Sequence, residues 1–198
     1  MNNNILSKSK KFVEDYFKNS GSNLFYHNIN HIREVADHSE IIANFLNIPD
    51  DDKEVLLIAA WFHDIYHVVS NINHEEESAK IAREFLLSQK YPIEKINKVV
   101  GCILATRVPQ NPQNILEKII CDADLFHAGT EEFFNRNALY RKEIESKLKK
   151  NISEKDFVEQ TLFFFKSHHF FTDYSKKFLN KQKQNNLKML KNLLKKEK

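Results

Sequence analysis

An all-α fold is what composition and periodicity predict for this chain, and three observations carry that prediction. Its 198 residues include only three Gly and four Pro, too few for the tight turns that sheets need. Apolar side chains recur at helical spacing in one segment after another, with no clean apolar/polar alternation. An apolar fraction of 41%, with sixteen Phe, is enough to fill a sizeable core. The expectation is a single domain over 1–198, a bundle of about eight or nine helices.

Each element has its own signal. Ile5, Leu6, Phe12, Val13, Tyr16 and Phe17 form a stripe that Asn19-Ser20-Gly21-Ser22 terminates. From about Asn28 to Asn47 the stripe is Ile32, Val35, Ala36, Ile42, Ala43 and Leu46. Pro49 breaks the chain, Asp51 with Glu54 has the spacing of a capping box, and Val55 to Ile65 is apolar nearly all round. A helix of that kind belongs in the middle of a bundle. Asn73 with Glu76 starts a helix striped by Ala79, Ala82, Phe85 and Leu86, and Tyr91-Pro92 starts another with Ile96, Val99, Val100 and Ile103. PQNPQN is a polar loop, followed by Ile115, Leu116, Ile119 and Ile120 leading into CDADL. Thr130 is positioned to cap a helix carrying Phe133, Phe134, Leu139 and Ile144. Ser153 with Asp156 caps one carrying Phe157, Leu162, Phe164 and Phe165. After His168-His169, read as packing residues, a last helix runs from about Asp173 into the Lys-rich tail.

Composition also excludes several classes. Two cysteines, Cys102 and Cys121, make no disulfide framework and point to a reducing compartment. No signal-peptide core and no run of about 18 apolar residues occurs, so a soluble cytoplasmic protein with no membrane partner is expected. The net charge of +3 is too small to imply nucleic acid. The excess sits beyond Lys176, where Glu197 is the only acid. That segment reads as a solvated basic helix, and nucleic acid is not the expected partner.

Chemistry gathers at three places. The apolar helix ends in AAWFHDIYH, which puts His63 and Asp64 side by side. A buried carboxylate needs a cation or donors, because burying it unpaired costs several kcal/mol or more. His27 and His31 lie four apart, on one face if the helix reaches back to His27. Asp122 and Asp124 follow the helix at 115–120. A bundle can bring these groups together as a two-His, two-carboxylate shell, a borderline set suiting Mn, Fe, Co, Ni or Zn and, less ideally, Mg.

The order YHNINH, AAWFHD, DADL resembles the HD-domain superfamily of metal-dependent phosphohydrolases and phosphodiesterases, over about residues 24–130, with 131–198 as a variable C-terminal part. The resemblance implies an all-α fold and the metal ligands His31, His63, Asp64 and Asp124. Asp122 would then hold a ligand His in place. His27 resembles a phosphodiesterase proton donor, Asp64 would orient a metal-bound water, and His67 would bind phosphate or move protons. His74 and Glu77 of HEEES fall where family members approach a second metal, and Arg107 would pair with phosphate. HEEES lacks the second His of a zinc-protease HExxH motif, so that reading is rejected. The histidines that complete a dinuclear site in some subfamilies are absent near Thr106-Arg107. The implied activity is hydrolysis of a small phosphorylated substrate, a nucleotide first, with a divalent metal ion as cofactor. The alternative is a catalytically weak metal- or nucleotide-binding regulatory module.

Overall fold

In the computed structural model, which describes residues 5–196, α3 (Asp50–Phe62) is the centre around which the first six helices assemble. Every residue from Val55 to Phe62 is buried, so this stretch of the helix has no solvent face. Around it pack α1 (Ile5–Ser20), α2 (Ile29–Phe45), α4 (His74–Ser88), α5 (Ile93–Ala105) and α6 (Ile115–Asp124). Phe62 at its end meets Phe12 of α1 and Phe85 of α4, with ring centroids 5.8 and 5.5 Å away. The fold is all-α, and the described residues contain no strand.

Contacts divide the chain into two compact units, 1–124 and 125–198. The second comprises α7 (Phe133–Leu148), α8 (Glu154–Ser167), α9 (Asp173–Phe178) and α10 (Asn180–Lys196), preceded by a 3-10 turn, Phe126–Gly129. Its core joins Phe133, Val158, Leu162, Phe165, Phe170, Leu179 and Leu190. Gly129 is required there: a Cβ at this position would lie 2.4 Å from Leu179 Cβ and 2.8 Å from its carbonyl oxygen. His168 packs among Phe164, Phe165 and Phe170.

Several expectations about helix ends are corrected. Ten α-helices are present among the described residues, because the last predicted helix is two. Thr172 caps α9, its side chain accepting from the Ser175 N–H, and Leu179, buried against Gly129, separates α9 from α10. Asp51 and Glu54 are not a capping box. Pro49 precedes the first turn of α3 without a side-chain cap, while Asp51 pairs with Lys95 and Glu54 accepts from the Tyr91 hydroxyl. Thr130 does not cap α7; its hydroxyl donates to His127 O. Ser153 does cap α8, accepting from the Asp156 N–H at 3.0 Å.

Nor is the basic tail helix wholly solvated. Lys183 is buried, its ammonium donating to His168 O and lying 5.5 Å from the Phe170 ring centroid. Asn186, also buried, donates to Ala128 O and Thr130 O at 3.0 and 2.9 Å. Glu197 lies outside the described residues.

Candidate metal centre

Three helix ends in the first unit deliver the site. At the first, Asn28 is the N-cap of α2, with its side-chain oxygen accepting from the Asn30 and His31 N–H groups. Asn is among the preferred N-caps because its short carbonyl reaches the unpaired amides of the first turn. The Asn28 amide also donates to Leu24 O and Phe25 O, tying down the approach to the helix. His31 is thereby fixed in the first turn of α2 and points inward, 2% exposed. His27 precedes the helix rather than belonging to it, yet its ring still lies 5.8 Å from that of His31. Tyr26, buried beside both, supports them.

At the second, α3 stops at Phe62 and His63 is its C-cap. His63 Nδ1 lies 2.8 Å from Ala60 O. A carbonyl only accepts, so Nδ1 carries a proton and Nε2 is the nitrogen left to face the carboxylates. Asp64 then leads into a 3-10 turn, Ile65–Val68. The third helix end is that of α6, which terminates on Asp124.

These ends converge. His31, His63, Asp64 and Asp124 each offer one donor atom, and all four atoms lie within 4.8 Å of one another. His31 Nε2 is 3.2 Å from Asp124 Oδ1 and 3.5 Å from Asp64 Oδ2. His63 Nε2 is 3.4 Å from Asp64 Oδ2 and 3.7 Å from Asp124 Oδ1. Two donors each about 2.1 Å from a common ion stand roughly 3.0–3.5 Å apart at octahedral or tetrahedral angles. The observed separations cluster around that spacing and mostly exceed good hydrogen-bond lengths. His63 Nε2, fully buried and without a hydrogen bond, is the atom most in need of a cation. The donor set fits a borderline divalent ion.

Electrostatics point the same way. Burial opposes every charge here, but at His63 the Asp64 and Asp124 carboxylates outweigh it and hold the imidazole well above its ordinary value. His31 is likewise raised, by Asp124 and Asp64 against its own burial. For Asp64, burial is outweighed by His63, His67 and His31, which hold it well below the usual carboxylate range, and Asp124 is lowered by His31 and His63. Protons on the histidines do the work that a divalent cation would do.

The remaining candidates separate. His27 Nε2 approaches Asp64 Oδ2 to 4.0 Å, and the His27 ring stacks on His67 at 3.8 Å with 3° between planes. His67 Nε2 and His74 Nε2 reach the other Asp64 oxygen, Oδ1, at 3.7 and 3.5 Å. Asp122 is fully buried on α6 and falls outside the donor groups gathered within 4.8 Å among the described residues. Glu77 turns away and pairs with Lys80. Arg107, about half exposed, is engaged by Glu76 and lies 3.9 Å from Glu75.

Glu75 is the residue that sequence reasoning missed. It is buried and sits 3.4 Å from His74 Nδ1. A signal existed: the buried stripe Leu86, Ala82, Ala79 and Ser78 extends back by helical spacing to Glu75, not to Glu77.

Comparison with known proteins agrees with this geometry. The family model described as HD domain matches residues 28–129, which span all four converging donors. A solved structure of a predicted HD superfamily hydrolase from an uncultured Thermotogales bacterium superposes with a TM-score of 0.64. It is 19% identical, over 97% of this chain and 92% of that one. No curated protein matches the chain.

Proposed function

The chain belongs to the HD-domain family, and from that membership we propose that it is a metal-dependent phosphohydrolase acting on a small phosphorylated, nucleotide-type substrate. The observation that carries this reading is the convergence of His31, His63, Asp64 and Asp124 within 4.8 Å. A divalent cation held by these four would lower the pKa of a bound water and neutralise charge on the phosphoryl oxygens.

The chain's own residues supply the rest. Asp64, with one oxygen toward His31 and His63 and the other toward His67 and His74, is placed to accept a proton from the attacking water. His27, 14% exposed at its side chain and set beside the donor cluster, would donate a proton to the leaving oxygen. His67, stacked on His27, fixes that ring and offers its own nitrogen to a phosphoryl oxygen. Asp122, fully buried on α6, would hold a ligand histidine in place. Arg107 would exchange Glu76 for a substrate phosphate. Among the described residues no helix is long and apolar enough to cross a membrane, and the substrate class needs none.

The test is a turnover assay over nucleoside mono- and polyphosphates and cyclic and linear phosphodiesters, with Mn or Mg at saturation. Product release is expected from at least one member. His27→Ala should keep the metal while losing about 10²–10⁴-fold in rate, the usual range for a positioned general acid. Nucleotide binding with no product from any member would instead identify a regulatory module.

A further inference from the structure

We propose that the exposed face of α10 binds the phosphate backbone of a nucleic acid, without regard to its sequence. The proposal concerns the second compact unit alone and does not depend on the metal centre. The amino-acid sequence reads this segment as a solvated basic helix. In the structure only one side is solvated, and three observations give that side a ligand.

First, α10 sorts its residues by side. Lys183, Asn186 and Leu190 are buried, and Leu187 and Leu194 pack against the core of the unit. At about 100° per residue these five fall on one side of the helix. Lys181, Asn185, Lys188, Lys191, Asn192 and Lys195 are exposed and occupy the opposite side, within an arc of about 120°.

Second, the exposed side carries charge of one sign. No acid occurs between Asn180 and Lys196. Among the described residues no ion pair engages Lys181, Lys188, Lys191 or Lys195. Other lysines of this chain have acids beside them: Lys53, Lys95, Lys98 and Lys147 pair with Asp50, Asp51, Asp52 and Glu143 at 3.2, 2.8, 2.6 and 3.1 Å. A row of like charges repels itself, and an external polyanion relieves that repulsion.

Third, the charges form a line. Lys181, Lys188 and Lys195 recur every seven residues, about two turns, so the row runs roughly 21 Å along the helix at about 1.5 Å per residue. A line of that length complements a chain of phosphates better than a single phosphate group. Asn185 and Asn192 lie between the lysines and carry amide groups that can donate to phosphate and sugar oxygens. The same arrangement argues against a bilayer. A helix lying on a membrane inserts its apolar side, and here that side is committed to the core of the unit.

The experiment is fluorescence anisotropy of the full chain with short labelled RNA and DNA of mixed sequence, single-stranded and duplex. Binding should show little preference for sequence. Four lysines on phosphates predict a slope of log K against log salt of about −2.8 to −3.6, so affinity should fall roughly 50- to 150-fold between about 50 and 200 mM salt. Lys188→Gln should reduce that slope by about one. Lys181→Gln/Lys188→Gln/Lys191→Gln/Lys195→Gln should abolish binding while the thermal midpoint stays near that of wild type, because all four positions are exposed. No binding at low salt, an affinity indifferent to salt, or a quadruple variant that binds as wild type does would overturn the proposal. Tighter binding to phosphatidylserine vesicles or to polyglutamate than to nucleic acid also overturns it, and assigns the face to a membrane or to an acidic protein.

Discussion

Asn28→Ala tests how the sequence positions His31. The side chain of Asn28 accepts at 2.9 and 3.4 Å from the Asn30 and His31 amides and donates at 3.3 and 3.1 Å to Leu24 O and Phe25 O. Losing an N-cap costs about 1 kcal/mol. The two donated bonds lie where water replaces them, so they add about 0.5 kcal/mol each at most. The expected loss is therefore about 1–2 kcal/mol. For a chain of this length each kcal/mol moves the midpoint by about 2–4 °C, giving a fall of about 2–8 °C by calorimetry. Asn28→Asp keeps the cap acceptor and gains from a negative charge at a helix N-terminus, so it should recover most of the loss. Titration calorimetry with Mn(II) supplies the second readout: affinity should fall in the Ala variant, whose first turn frays at His31, more than in the Asp variant. Equal midpoints and affinities for wild type and Asn28→Ala would refute the reasoning. So would an Asp variant as impaired as the Ala variant.

Two further predictions concern the fold and its pH dependence. Gly129→Ala should destabilise the protein by about 1–3 kcal/mol, the range for overpacking, because the added methyl meets Leu179 Cβ at 2.4 Å and its backbone; urea denaturation measures it, and an unchanged midpoint contradicts the close approach. In the metal-free protein His31 and His63 are raised, so their stabilisation is complete below the ordinary imidazole value of 6.5 and fades as pH rises above it. Asp64 and Asp124 are lowered, so theirs is present above the ordinary carboxylate value of 3.8 and fades as pH falls below it. Metal-free stability contributed by the cluster should therefore be greatest between 3.8 and 6.5. The extra stability on adding Mn(II) should instead grow from pH 6 to 8, because the ion competes with those protons. Thermal scans with and without metal across this range measure both, and a metal increment that shrinks with rising pH would contradict the assignment.

Much of this was legible in the chain because strong periodic signals have few competing explanations. The run from Val55 to Ile65, apolar nearly all round, reads as a helix in the middle of a bundle, and Val55 to Phe62 is buried on every side. A His-Asp pair at its end needed partners, and the convergence of His31 and Asp124 upon it is the arrangement the structure shows. Local signals did less well where tertiary contacts competed. Asp51 and Glu54 have capping-box spacing, but Lys95 and Tyr91 take their carboxylates instead. Lysine composition suggested a solvated tail, yet Lys183 covers its stem among Phe165 and Phe170 and spends its charge on a carbonyl. Helical spacing marks Glu75 as buried, but its partners depend on where His74 and Arg107 lie in space, which spacing does not give.

The most direct test of the central claim is the metal content of the purified protein after loading with Mn(II) and removal of free ion, compared across wild type, His63→Ala and Asp124→Asn. Wild type should hold stoichiometric metal. In both variants the ion should be lost while far-UV circular dichroism still reports a helical fold. Variants that hold as much metal as wild type, or a folded wild type that holds none, would contradict it.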